Sequence, residues 1–143
     1  MEITFQSEGI EHPQIDEQKL SKWIESVAKK HNREIGEISY LFCDDERILE
    51  VNQEYLKHDF YTDIITFDYS EEKKISGDII ISLETVETNS QMYKTDFLDE
   101  LHRVIIHGVL HLSGLNDLTE EEEKAMREAE NSALKMLASG KSA

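Results

Sequence analysis

Cysteine, proline, glycine and positive charge are all scarce in this 143-residue chain, and each shortage excludes something. The lone cysteine, Cys43, cannot close an internal disulfide, so no disulfide framework holds the fold. It lies in a strand-like run, where a buried free thiol is the ordinary expectation. One proline, Pro13, and six glycines leave few breakpoints. No repeat or low-complexity linker divides the chain, and one domain spanning residues 1–143, long enough to bury a core, is expected. No apolar run approaches the roughly 20 residues of a membrane helix. The opening Met1-Glu2-Ile3-Thr4-Phe5 lacks the basic and apolar regions of a signal peptide. The expected location is the cytoplasm, with no membrane partner.

Lys and Arg number 15 against 31 Asp and Glu, a formal net charge of −16. Non-specific binding to nucleic acid is driven by cations that neutralise phosphates. A chain this acidic should hold free nucleic acid poorly, and charge alone favours a small-molecule substrate. A local basic patch, or a partner that presents the substrate, would reverse that conclusion. Lys29, Lys30, His31 and Arg33 form one basic cluster, and Lys57 with His58 another. Each reads first as solvated surface.

What the chain does contain is an unusual stretch from Val104 to Asp117. His107 and His111 stand four residues apart among Val104, Ile105, Ile106, Val109, Leu110 and Leu112. On a helix, residues i and i+4 share a face with Cβ atoms roughly 5–6 Å apart, which suits two imidazoles converging on one ion. Gly114 offers a turn out of the helix, since glycine adopts the left-handed conformation at little cost. That turn can return Asp117 towards the same ion. The spacing therefore reads as three ligands, His107, His111 and Asp117, of one catalytic metal, zinc by preference, with a fourth position for water. The competing reading is two hydrogen-bonded core histidines with no metal. One class of zinc proteases has similar spacing, with Glu as general base after the first His. Here that position is Gly108, which can neither take nor give a proton, so hydrolysis of something other than a peptide is indicated.

Three blocks carry a family resemblance. His107-Gly108-Val109-Leu110-His111-Leu112-Ser113-Gly114 resembles the H-G-x-L-H-L-x-G signature of the YbeY family, bacterial metal-dependent endoribonucleases of ribosomal RNA maturation. Asn52, Tyr55, Asp59, Thr62, Asp63, Ile64 and Phe67 match the family's L-N-x-x-Y-R-x-x-D-x-P-T-D-V-L-S-F block. Gly77-Asp78-Ile79-Ile80-Ile81-Ser82 is similar to its G-D-I-x-I-S strand. The blocks keep the family's order over about residues 40 to 137. The chain departs at three places: Asp117 stands where the family usually has the third ligand His, Leu56 where it has Arg, and Tyr61 where it has Pro. Zinc ligation carries over to His107 and His111 by motif and to Asp117 by position. Lys57, beside Leu56, is the expected phosphate contact, although an ammonium is not a fork-shaped guanidinium. The resemblance implies a zinc-dependent, single-strand endoribonuclease. One Zn2+ per chain and a ribosomal RNA substrate presented by the ribosome follow, with no role for DNA. The alternatives are a metal hydrolase of another class and a non-catalytic ribosome assembly factor. His58, Asp59, Asp63 and His102 are candidate general bases. Asp63 and Asp78 also have simple readings as loop-closing side chains, and His102 points to another face of its helix.

Periodicity supplies the elements. Residues 2–6 alternate as a strand. Asp16 caps a helix to about Lys30, with Leu20, Trp23, Ile24, Val27 and Ala28 inward. Asn32 to Gly36 reads as a connection and Glu37 to Cys43 as a strand. Asp44 or Asp45 caps a helix to about Leu56, with Ile48, Leu49, Val51 and Tyr55 inward. Asp63 to Tyr69 is a strand, Ser70 to Ser76 a charged turn, and Asp78 to Leu83 a buried strand. Glu84 to Tyr93 is a short helix, and Asp96 caps a long one to Ser113. Thr119-x-x-Glu122 is a capping box opening a last helix to about Leu137. Ala125, Met126, Ala129, Ala133, Leu134 and Leu137 should face inward from it. The result is an α+β fold: a mixed sheet of about four strands packed with helices. The metal site falls on the long helix of the C-terminal half and the loop that follows.

Overall fold

The computed structural model describes residues 2–56 and 62–139, Leu56 by its backbone only. Four strands, β1 (Glu2–Ser7), β2 (Glu34–Cys43), β3 (Ile64–Asp68) and β4 (Lys74–Ser82), form one sheet in the order β1-β2-β4-β3. The first three in that order run parallel, and β3 is an antiparallel edge on β4. Among the described residues, five helices accompany them: α1 (Glu17–Lys30), α2 (Asp45–Leu56), α3 (Leu83–Tyr93), α4 (Phe97–Leu112) and α5 (Glu120–Ala138). The mixed sheet with helices makes the fold α+β. No helix among the described residues is long and apolar enough to cross a membrane.

Both faces of the sheet are covered. Ile79 and Ile81 of β4 enter the large core beneath α1, α4 and α5, with Trp23, Ile105 and Leu110. Ile80, pointing the other way as strand alternation requires, joins Cys43, Ile48, Val51 and Ile65 beneath α2. The central strand therefore carries apolar side chains on both sides, each worth about 1.5–3 kcal/mol when fully buried. Cys43 is buried there; its thiol donates to the Ile81 carbonyl at 3.6 Å, and burial pushes its pKa up to about 12.

Helix α4 is apolar around most of its circumference, and Leu101, Ile105, Ile106, Val109 and Leu110 are fully shielded from water. It also approaches the sheet closely. A Cβ on Gly108 would stand 2.8 Å from Ile79 Cδ1 and 3.3 Å from Ile64 Cδ1. Gly108 is thus where the helix meets the sheet, a packing role unconnected with proton transfer. Two buried polar handles pin the neighbours: Trp23 Nε1 donates to the Ala133 carbonyl at 2.7 Å, and the Tyr40 hydroxyl to the Ile105 carbonyl at 2.9 Å.

Several boundaries differ from the sequence expectation. Strands β2 and β4 begin three and four residues earlier, at Glu34 and Lys74. These ends pair with each other, across a register shift between Ile35 and Ile38. The exposed Glu34 and Lys74 that open these ends, and the glycines that interrupt the alternation at Gly36 and Gly77, concealed the pairing. Asp96 occupies the N-cap of α4 but makes no side-chain capping bond. Tyr55 is 62% exposed, not inward, because its ring lies edge-on against Phe67 with the hydroxyl towards water. Ala125 is exposed too: the buried stripe of α5 runs through Met126, Glu130, Ala133 and Leu137, about 100° away.

Candidate functional site

The long helix delivers His107 to its last turns and then stops. Gly114, at φ +107°, ends it, with Gly114 N–H on the His111 carbonyl and Leu115 N–H on that of Leu110. Three residues later the chain turns back. His107 Nε2 and Asp117 Oδ2 stand 3.5 Å apart. Thr119 then opens α5 through the reciprocal capping box with Glu122, both bonds at 3.1 Å. This fixes the direction of α5 and with it the position of Glu130.

Glu130 is the residue that sequence reasoning missed. It is buried, and its Oε2 accepts from His107 Nδ1 at 2.7 Å while Oε1 accepts from Arg103 Nη1 at 2.8 Å. The other Arg103 nitrogen donates to Asn131 Oδ1 at 2.8 Å. The signal was present: Glu130 is the one charged residue on the stripe Met126, Glu130, Ala133, Leu137, and a charge on a buried stripe needs a partner. With the Nδ1 proton committed to Glu130, Nε2 is the ring atom that faces Asp117.

The charges around His107 favour a cation. Burial lowers the pKa of this imidazole, but the Glu130 hydrogen bond and the Glu130, Asp117 and Asp63 charges outweigh burial and raise it. Burial likewise raises the Glu130 carboxyl, but the bonds from His107 and Arg103 prevail and hold it below the usual range. Asp63 sits in the same cleft with its pKa raised, chiefly by burial.

The cleft has a volume of about 680 Å³. Asp63, Glu100, Asp117, Glu120, Glu123 and Glu130 line it, with Arg103, Lys124 and Arg127 as its cations. Asn89 and Tyr93 of α3 also line it.

The 3.5 Å separation is too long for a hydrogen bond. It is close to what one tetrahedral ion imposes, since two ligands about 2.1 Å from zinc stand roughly 3.4 Å apart. A carboxylate on the far nitrogen of a ligating His is the usual outer partner of such sites. His111 lies one turn further along α4, half-buried, and its ring bonds to no other described residue. Among the described residues, no three His, Cys, Asp or Glu side chains are gathered closely enough to hold an ion. The donor chemistry fits zinc; His107 and Asp117 meet, and His111 does not complete a closed set of three with them among the described residues.

The other candidates fall elsewhere. Lys57, His58 and Asp59 lie outside the described residues. His102 lies edge-on to Trp23, with ring centroids 6.1 Å apart, and is part of the packing. Asp78 accepts from the Tyr69 hydroxyl at 3.2 Å, away from the cleft. Thr62 Oγ1 reaches the Ile64 carbonyl at 3.3 Å, which is the loop-closing role expected of that pair. Asn52 is a buried residue of α2 and does not line the cleft. In the basic cluster of Lys29 to Arg33, Lys30 bonds Ser132 and Arg33 the carbonyls of His31 and Asn32.

Comparison with known proteins gives matches over nearly the whole chain. The family described as endoribonuclease YbeY matches residues 3–138. The endoribonuclease YbeY of Bacteroides fragilis is 56% identical over 136 residues, covering 95% of this chain and 98% of that protein. That of Bacteroides thetaiotaomicron is 52% identical over 136 residues, covering 95% and 99%. Among solved structures, the solution structure of TM1509 from Thermotoga maritima superposes with a TM-score of 0.69 at 27% identity, covering 94% of this chain and 88% of that one.

Proposed function

The chain belongs to the endoribonuclease YbeY family, and from that premise we propose that it is a zinc-dependent endoribonuclease cutting single-stranded RNA in ribosomal RNA maturation. His107, His111 and Asp117 would hold one zinc ion. The observation that carries this reading is the His107–Asp117 approach at 3.5 Å with the far nitrogen of His107 tied to Glu130. A bound zinc ion supplies Lewis acidity at the phosphate and a nucleophilic water near neutral pH.

The chain's own residues do the rest. Glu130 fixes the tautomer and plane of His107, and Arg103 fixes Glu130. Lys124 and Arg127 bring positive charge to a cleft otherwise dominated by carboxylates. Asp63, a buried carboxyl with a raised pKa, is able to hold a proton taken from water as the phosphodiester opens. Lys57, next to Leu56 where the family has Arg, would be a further phosphate contact. The reading places the enzyme in the cytoplasm, with the ribosome presenting the RNA.

The test is direct. Purified protein should contain one zinc per chain and cut single-stranded RNA. His107→Ala and His111→Ala should each lose both metal and cleavage. Cleavage that survives both substitutions and a chelator would overturn the proposal.

A further inference from the structure

The acidic balance of the chain leaves open how an RNA strand is held. The catalytic cleft sharpens the difficulty, since six carboxylates there face three cations. A second groove of about 620 Å³ has the opposite balance. Lys19 and Lys135 line it against one carboxylate, Asp99, with Arg103, already paired to Glu130, at its edge. Its floor is apolar, from Leu134, Leu137 and Ala138 of α5.

The two are joined. Arg103 lines both, and it bridges α4 to α5 through Glu130 and Asn131. Along α4 the cleft takes Glu100, Arg103, Val104 and His107, and the groove takes Asp99, His102 and Arg103. Along α5 the cleft ends at Glu130 and the groove begins at Asn131. One furrow therefore follows the seam of the two helices, with the Arg103 bridge as its saddle. From His107 to Asp99 it runs roughly 12 Å, at 1.5 Å per residue.

We propose that the groove of Lys19 and Lys135 is a second binding site, for the sugar-phosphate backbone of the RNA strand as it leaves the catalytic cleft over Arg103. It rests on the endoribonuclease reading above and specifies how that substrate is held. Lys19 and Lys135 are exposed, on different helices, and free to take phosphates as point charges. The His102 ring on the same wall is neutral, its pKa lowered by burial, and adds an apolar-edged surface without charge. Chemistry happens in the carboxylate-rich cleft; grip comes from the groove. A strand too short to reach the saddle gains nothing from it.

The experiment compares two single-stranded RNAs, one long enough only for the cleft and one extended at both ends. Wild type should show a lower KM for the long RNA. The Lys19→Glu/Lys135→Glu double variant should raise KM for the long RNA about tenfold, and the slope of log affinity against log salt should shrink by roughly 0.7 for each lost phosphate contact. Its kcat, and its KM for the short RNA, should stay near wild type. Lys19→Gln/Lys135→Gln should fall between. An unchanged KM and salt slope on the long RNA in both variants would overturn the inference while leaving the endoribonuclease reading intact. Wild type that cuts neither RNA would overturn that reading first.

Discussion

At the scale of single residues, Glu130 decides how His107 behaves. Replacing it by Gln keeps the shape and removes the charge. The amide offers Nδ1–H a weaker acceptor and can also present a donor to it, so His107 loses its fixed tautomer. Metal affinity should fall about 10- to 100-fold, the usual cost of losing such an outer partner, and zinc titration into the apo protein measures it. Gly77 and Gly108 are contrasted packing cases. A Cβ on Gly77 would meet the Phe67 carbonyl oxygen at 2.4 Å, and backbone cannot yield without parting β3 from β4. On Gly108 it meets the tip of Ile79, and alanine regains about 1 kcal/mol of helix propensity. Gly77→Ala should cost about 3 kcal/mol and Gly108→Ala about 1 kcal/mol or less; denaturant unfolding of the two variants tests the order. The approach of His107 to Asp117 was legible because their spacing encodes a helix end followed by a turn. Glu130 and Arg103 were harder, because their partner lies 23 or 27 residues away.

At the scale of elements, helix faces were read well where an apolar stripe is continuous. All five residues expected inward on α1 are buried, and Asp16 caps it through Lys19 N–H. The capping box of α5 was equally plain. Thr119→Ala removes the Glu122 N–H to Thr119 Oγ1 bond, leaves the backbone N–H of residue 119 to the Glu122 carboxylate, and should lower stability by about 1 kcal/mol. Asp96→Ala removes no capping bond and should cost only a few tenths, through the helix dipole alone. Thermal melts of the two variants separate them. Strand beginnings were read late because Gly36 and Gly77 interrupt the period-two alternation just after the charged Glu34 and Lys74 that open the paired ends. Nothing local distinguishes such a glycine-broken strand end from a turn; the partner strand does.

At the scale of the whole molecule, ionisation sets the pH range of the fold. Burial lowers the His102 pKa from 6.5, assisted by Lys19 and opposed by Asp99 and Asp96. His31 shifts the same way, through burial, Lys30 and Arg33. The unfolded chain then binds protons more readily than the folded one. Stability from these two groups is complete above pH 6.5 and is lost as pH falls through the window below it. Asp63 and Glu100, raised mainly by burial, work in the opposite sense at lower pH, since a raised carboxyl favours the fold in its protonated form. Denaturant midpoints between roughly pH 7 and pH 5 should therefore fall less steeply in His102→Gln than in wild type.

Cys43 gives the molecule a built-in clock. It is the only thiol in the chain, it has no exposed surface, and its pKa of about 12 keeps it unreactive at neutral pH. Alkylation by a small electrophile must wait until α2 lifts from the sheet or the whole fold opens. Where closing outruns the reagent, the labelling rate divided by that of the unfolded chain is the opening equilibrium itself. A single mass measurement over time thus reads the tightness of the α2 side of the sheet.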